Sequence, residues 1–425
     1  MTWSFITTAT PSFRILPHEA TFDVGGSSIF FKDDKDVPYA LAVLNSNFAT
    51  KVLSVTNPTV NVQVKNVRDI PVLKTSNKIL IEENAIKAIE ISQLDWNCQE
   101  TALDFTRFSI AYLPVKVKRL AESWNTWKSE TEERISRLKA LERANNSLFI
   151  ESYGLGDELT AEISEDQITL VRADREKDCQ RLISYAIGCM MGRYSLDESG
   201  LIYAHAGNVG FEPSRYATYP ADTDGIVPIT DELWFADDAP SRMREFLRAI
   251  WGPDTLEENM AWLAESLGAK SAETPDETIR RYIADKFFKD HLQTYKKRPI
   301  YWLFSSGKQG AFQALVYLHR YTEGTVARLR AEYVVPLTGK IQGRIDMLQK
   351  DTAAASSTAA RNKLVKEVEK LKKKHAELLA YDEQLRHYAD MRITLNLDDG
   401  VKVNYGKFGD LLAEVKAITG GASDD

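Results

Sequence analysis

The sequence predicts an α+β protein, with a small strand-rich domain first and a predominantly α-helical region after it, ending in a long helical hairpin or coiled coil. Three observations predict it. Over residues 1–75, short β-prone runs are cut by proline and glycine. From residue 76 onward, apolar residues recur at helical spacing among charges of both signs. Between residues 340 and 390, Leu364, Val368, Leu371, Leu378 and Leu385 recur at steps of three, four and seven, the pattern of a helix packed along its length on another.

The elements follow in order. Residues 2–8, 13–16, 22–24 and 29–31 are the expected strands, separated by Pro11, Pro17 and the Gly25-Gly26 pair. Pro38 opens an expected helix running to about residue 55, with Leu41, Leu44, Phe48 and Val52 on one face. Beyond an Asn57-Pro58 turn, Val60, Val62 and Val64 alternate with Asn61, Gln63 and Lys65, which predicts a half-buried strand with a polar outer side. Residues 76–205 read as a helical connector domain, with Ile135, Leu138 and Leu141 at helical spacing and the helix pattern continuing through 182–186. Residues 206–240, with Pro213, Pro220, Pro228, Pro240 and repeated Asp, read as an irregular acidic connection. Residues 241–340 read as a helical domain with a basic face, and 341–420 as the hairpin and C-terminal segment, the Ala/Ser stretch 353–360 supplying a turn. The tail after Gly420 is expected to be disordered.

A net charge of -7 argues against a generally DNA-binding surface, but the charge is unevenly placed. Residues 151–285 carry -15 and residues 286–350 carry +8. Attraction to phosphate is local, because charges more than about 10 Å apart are screened at ordinary salt. The basic block can therefore face a duplex while the acidic block faces solvent or another protein. Cys98, Cys179 and Cys189 are odd in number, widely spaced and free of any C-x-x-C pair, which points to reduced thiols rather than disulfides or zinc ligands. No apolar run approaches the roughly 18 residues that span a bilayer. A cytoplasmic location without membrane attachment is expected.

Two N-terminal runs, WSFITTATPSFRILPHEATFDVGGSSIFF from Trp3 and YALAVLNSNFATKVLSVTNPTVNVQVKNVRDIPVL from Tyr39, resemble the target-recognition domain of adenine-specific DNA methyltransferases. The run TYKKRPIYWLFSSGKQGAFQALVYLHRY from Thr294, with DDGVKVNYGKF from Asp398, resembles the C-terminal half of one branch, the PglX family of the BREX phage-defence systems. The resemblance covers nearly the whole chain. It implies that residues 1–75 are a DNA-specificity domain and that the parent enzyme moves a methyl group from S-adenosylmethionine to adenine N6. It also implies an upstream methyltransferase domain or subunit as partner, besides double-stranded DNA and other BREX proteins.

Such an enzyme needs [DN]-P-P-[YF], whose polar side chain accepts from the adenine amino group while the ring stacks on the flipped base. Asn57-Pro58 is followed by Thr59 and Val60, lacking the second proline and the aromatic. Tyr153-Gly154-Leu155-Gly156 follows a helical pattern, where glycine ends a helix rather than cradling a cofactor. No catalytic residue, S-adenosylmethionine site or metal site is therefore expected within these residues. Ser306-Gly307-Lys308 fails as a phosphate loop, because Trp302 stands where the earlier glycine belongs and no clear strand precedes it. Asp23, Asp33, Asp34 and Lys35 mimic a nuclease constellation only loosely, in an acidic surface turn.

DNA contacts are expected instead. In the specificity segment the candidates are Ser12, Arg14, Ser27, Ser28, Lys32, Asn61, Gln63 and Lys65; Arg and Lys suit guanine O6/N7, Asn and Gln suit adenine N6/N7. Further along, Lys296, Lys297, Arg298, Lys308 and Gln309 surround Tyr301, Trp302 and Phe304. Two readings stand for that stretch: phosphate contacts held by an aromatic wall, or core aromatics beside solvated lysines. For the whole chain, the reading is a DNA-recognition and clamping portion of the methyltransferase. Its rivals are a protein-interaction scaffold of the defence complex and the specificity portion of a restriction-modification enzyme.

Overall fold

The computed structural model describes residues 1–8, 10–57, 59–112 and 117–420. Pro58 of the expected turn and the expected disordered tail lie outside the described residues. The fold is α+β, as the sequence predicts, and divides into two compact units. One comprises Met1–Cys98 and Thr126–Ala173; the other comprises Gln99–Asn125 and the chain from Asp174 onward.

The first unit opens with β1 (Thr2–Ser4), flanked antiparallel by β2 (Phe13–Arg14) and β3 (Gly26–Ser28) in the order β2-β1-β3. The expected strands at 22–24 and 29–31 do not form. The Asp23 carboxylate accepts the N–H groups of Gly25 and Gly26 at 2.8 and 3.1 Å, a turn that sets Gly26–Ser28 itself beside β1. The expected single helix from Pro38 is two helices, α1 (Val37–Leu44) and α2 (Asn47–Thr56). Ser46 breaks them because its hydroxyl caps α2, accepting from Ala49 N at 3.2 Å. The predicted face survives the break, with Leu44 and Phe48 buried and Leu41 and Val52 packed beside them.

The expected strand at 60–65 is overturned. Only an isolated bridge, Ile6 to Asn61, remains, and α3 (Val64–Arg68) follows at once. The Asn66 side chain accepts from Gln63 N at 2.9 Å, starting a helix that buries Val67, with Ile70 buried just beyond its end, while Val60 and Val64 stay exposed. Next come α4 (Lys78–Asn97) and the long α5 (Leu120–Tyr153), whose first residues count with the second unit. Leu138, with Ile135 and Leu141, packs on Ile91, Ile163, Ile168 and Leu170. Gly154, at φ +66°, ends α5, and Leu155 N donates back to Ile150 O at 2.9 Å, so this glycine is the helix cap its setting predicts. The helix does not continue beyond it as expected: residues 154–174 hold no helix.

The second unit carries α6 (Arg175–Met190), then β4 (Ile226–Pro228) within the expected acidic connection. Four helices follow: α7 (Ala239–Trp251), α8 (Leu256–Ser266), α9 (Pro275–Asp285) and α10 (Phe287–Thr294). Strands β5 (Tyr301–Ser305) and β6 (Gln313–Tyr317), unforeseen in a stretch read as helical, complete an antiparallel sheet of order β4-β6-β5. Their side chains are buried on both faces, so no polar alternation marked them as strands. α11 (Thr325–Arg328) leads through a π turn into α12 (Val335–Ala354), which pairs with α13 (Thr358–Met391). The break at 355–357 makes this the expected helical hairpin, burying Ile341, Ile345 and Leu348 on one helix and Val368, Leu371 and Leu378 on the other. α14 (Gly400–Gly406) and α15 (Val415–Thr419) close the chain. Trp302 of β5 meets Tyr405 and Phe408 edge-on at 5.2 and 5.7 Å, so the two C-terminal runs singled out above are one packed core. Among the described residues, no helix is long and apolar enough to cross a membrane.

Candidate nucleic-acid interface

Strand register sorts the N-terminal candidates. In an antiparallel sheet, residues directly opposite share a face. Trp3 stands opposite Phe13 and Ser27, and all three are buried. Thr2 stands opposite Arg14 and Ser28, so these form a row on the other face. Ser28 thus lies on the outward row, while the buried Ser27 hydroxyl donates to Val24 O at 3.3 Å. Ser12 is exposed just before β2.

Arg14 is less available than its row implies. Its guanidinium donates to Phe13 O at 3.0 Å and to Thr169 Oγ1 at 3.3 Å. Burial draws its pKa down, with Glu142 on α5 opposing. Burial in turn pushes the Glu142 carboxyl up to about 7, with Arg14 opposing. Neither partner was legible in the sequence, since both lie more than a hundred residues from Arg14 with no motif linking them.

Lys32 and Lys65 are exposed and outside every ion pair among the described residues. Asn61 is held through its backbone, bridging to Ile6 and accepting from Asn57 Nδ2 at 2.8 Å. Gln63 sits exposed at the start of α3. The segment is tied to β1 by Val62, whose N donates to Phe5 O at 2.7 Å and whose O accepts the Trp3 indole N–H at 2.9 Å.

In the second unit, Lys296, Lys297 and Arg298 follow the C-terminus of α10 and are exposed, without ion-pair partners among the described residues. The turn that displays them is fixed. Lys297 N donates to Leu292 O at 2.7 Å, and Lys296 and Lys297 hold φ of +49° and +59°, a conformation costly for residues with a Cβ. Tyr301, Trp302 and Phe304 are core residues, each at most 1% exposed. Lys308 and Gln309 are exposed too, but beyond the other end of β5. A five-residue strand spans about 16 Å, more than a screening length, so the structure does not gather all five candidates into one patch. Ser306-Gly307-Lys308 does follow a strand, contrary to expectation, yet the chain returns as β6 instead of opening a helix, so it is no phosphate loop.

One organising residue was missed. Glu377 of α13 accepts from Ser306 Oγ at 2.7 Å, Gln309 N at 2.7 Å and Ala311 N at 3.2 Å. Nothing in the sequence ties a glutamate in a charged helix to a loop 68 residues earlier. Asp33, part of the nuclease mimic, caps a short turn by accepting from Lys35 N at 3.0 Å.

The class this fold defines is an α+β protein with exposed cations, unpaired among the described residues, on the turn after α10. No family model matches the chain. It is 44% identical, over 449 aligned residues and all of its own length, to the adenine-specific methyltransferase BrxX of Escherichia coli O9:H4 (strain HS), of which it spans 37%. It is 37% identical over 428 residues, 99% of its length, to the adenine-specific methyltransferase PglX of Lacticaseibacillus casei (strain Zhang), of which it spans 35%. The chain is thus homologous, end to end, to part of these BREX adenine-specific methyltransferases, and the resemblance carried by its four sequence runs is borne out. It spans little more than a third of the length of these curated relatives.

Proposed function

We propose that this chain recognises and holds duplex DNA for methyl transfer to adenine N6, the S-adenosylmethionine and the catalytic residues being supplied by another portion of the enzyme. Homology to adenine-specific methyltransferases makes DNA the substrate to consider. The observation that carries the reading is the triad Lys296, Lys297 and Arg298, three neighbouring exposed cations that no carboxylate within the described fold neutralises. Unpaired cations on a rigid turn suit a polyanion, because binding releases condensed counterions and no internal ion pair must first be broken. The N-terminal sheet, with Ser28 on its outward row and Lys32 and Lys65 exposed, is the portion suited to the grooves. The partners in this reading are double-stranded DNA, the methyltransferase portion and other BREX proteins.

A salt titration of duplex binding tests it. The wild-type chain is expected to bind at about 50 mM salt, with log affinity falling by ~0.9 per phosphate contact for each unit of log salt. Lys296→Glu combined with Arg298→Glu should weaken binding at least tenfold and flatten that slope by about 2. Absence of duplex affinity at low salt would overturn the reading and leave the acidic stretch and helical hairpin as a protein-binding scaffold.

A further inference from the structure

The loop between β5 and β6 is built as a small rigid finger. Gly310 N donates to Gly307 O at 3.1 Å, closing a four-residue turn whose two central positions are Lys308 and Gln309. Its base is closed as well: Ser306 N donates to Phe312 O at 3.0 Å, and Phe312 N donates to Ser306 Oγ at 2.9 Å. Beneath it, Glu377 spends both carboxylate oxygens on the loop, Oε1 on Ser306 and Ala311, Oε2 on the backbone N–H of Gln309. A Cβ on Gly307 would come within 3.0 Å of Glu377 Oε2, and the φ of +132° there is itself open only to glycine. Loop and carboxylate are therefore fitted to each other.

What this fitting leaves outside is selective. Lys308 and Gln309 are exposed, Lys308 makes no ion pair, and the Gln309 amide makes no hydrogen bond with the described residues. A loop braced by three hydrogen bonds that it donates to one carboxylate, yet showing its two longest polar side chains with no partner among the described residues, is arranged for a partner. Gln offers a donor and an acceptor in one plane, the pattern that adenine N6/N7 matches in the major groove; Lys offers a point charge for phosphate or guanine. The bland alternative is a solvated hairpin tip, which would need no such bracing.

We infer that the turn from Gly307 to Gly310 is a second DNA-reading element, separate from the N-terminal recognition segment: Gln309 contacts a base edge, Lys308 contacts the backbone, and Glu377 is the positioning residue that holds them. This rests on the duplex-binding reading above. The chemistry expected of the target is an adenine presented in the major groove of a duplex.

The test is selection of bound sequences from a randomised duplex pool by the full chain, with salt slopes measured in parallel. Gln309→Ala should erase preference at one base-pair position while leaving the salt slope unchanged. Lys308→Ala should lower affinity for all sequences alike and reduce the slope by about 1. Glu377→Gln, which keeps Oε1 as an acceptor but loses the second oxygen, should blur the same position as Gln309→Ala, with the melting temperature tracked to confirm folding. If Gln309→Ala leaves the preference profile intact, or the wild-type chain binds duplexes without preference, the inference is overturned although duplex binding stands. If the wild-type chain binds no duplex, both fall together.

Discussion

His291 and Tyr301 are joined twice over, once through the Tyr301 backbone and once through their rings. Nε2 accepts from Tyr301 N at 3.2 Å and from Ile300 N at 3.1 Å, and the two rings stack with centroids 4.8 Å apart. The end of α10 is thereby bound to the start of β5, and the basic triad lies in the turn between them. Such a bond requires neutral imidazole with its proton on Nδ1, and burial pushes the His291 pKa down to about 3.

His291→Ala should therefore destabilise the chain by about 2–4 kcal/mol, since two buried N–H groups lose their acceptor and a cavity opens. Wild-type stability should also fall with acid. Unfolded histidine takes up its proton near 6.5, whereas the folded one does so only near 3. The unfolded state thus binds more protons between those values, and stability, complete above about 6.5, is lost as pH falls toward 3. Denaturant melts at pH 7 and pH 5 should show a drop in the wild type that is smaller in His291→Ala.

Lys374 is the third lysine of Lys372-Lys373-Lys374 and the one that is inside, 1% exposed, its ammonium 2.6 and 2.7 Å from the Asp231 carboxylate oxygens. Removing Asp231 leaves the buried ammonium only the longer pairing to Glu232 Oε1 at 3.9 Å, too little to offset its desolvation. Asp231→Ala should cost about 2–4 kcal/mol, while Lys374→Met, which fills similar space without charge, should lie within about 1 kcal/mol of the wild type. Equal losses in urea melts for both variants would refute the argument.

The same lysine marks what a sequence can disclose. The spacing of Leu364, Val368, Leu371, Leu378 and Leu385 located the hairpin, because a helix must bury one face and apolar residues reveal it. Within the run Lys372-Lys373-Lys374, nothing local marks the inward lysine, whose place depends on Asp231 far upstream. The N-terminal strands were legible where β-prone residues formed them, in Thr2–Ser4 and Phe13–Arg14, and illegible where the Asp23 turn made an edge of one glycine and two serines. Val60, Val62 and Val64 gave a period of two, but Asn66 capping won over β propensity. For the candidate interface, the lysines that residue type picked out are exposed, while Arg14 is held by Phe13 and Thr169. Register separated Ser27 from Ser28, and only tertiary structure revealed Glu377.

Glu142 supplies a pH effect opposite to that of His291. Its carboxyl is pushed up to about 7, against 4.5 in the unfolded chain. The folded state then holds the extra proton between these values, so this contribution is fully present below 4.5 and is lost as pH rises through 7. Glu142→Gln, an isostere of the protonated acid, should remove that loss and raise stability at pH 8 by about 1–3 kcal/mol. At pH 4 it should change little. Thermal melts of the two proteins at both values decide it; a gain that does not depend on pH would show that Glu142 is ionised throughout.

Lys296 and Lys297 set stability against binding. Each holds a left-handed backbone that costs a residue with a Cβ about 1 kcal/mol and costs glycine almost nothing. Glycine is the usual residue where a chain leaves a helix in this way, yet here two lysines occupy consecutive positions after α10. If those side chains served only solvation, glycine would relieve the left-handed strain at both positions. Lys297→Gly is therefore expected to stabilise the chain by about 0.5–1 kcal/mol in denaturant melts while weakening duplex binding several-fold and reducing its salt slope by about 1. Lys297→Ala should weaken binding to the same extent with no gain in stability, since alanine keeps the strained Cβ. A glycine variant that is more stable and binds as tightly as the wild type would refute the assignment of this turn to DNA.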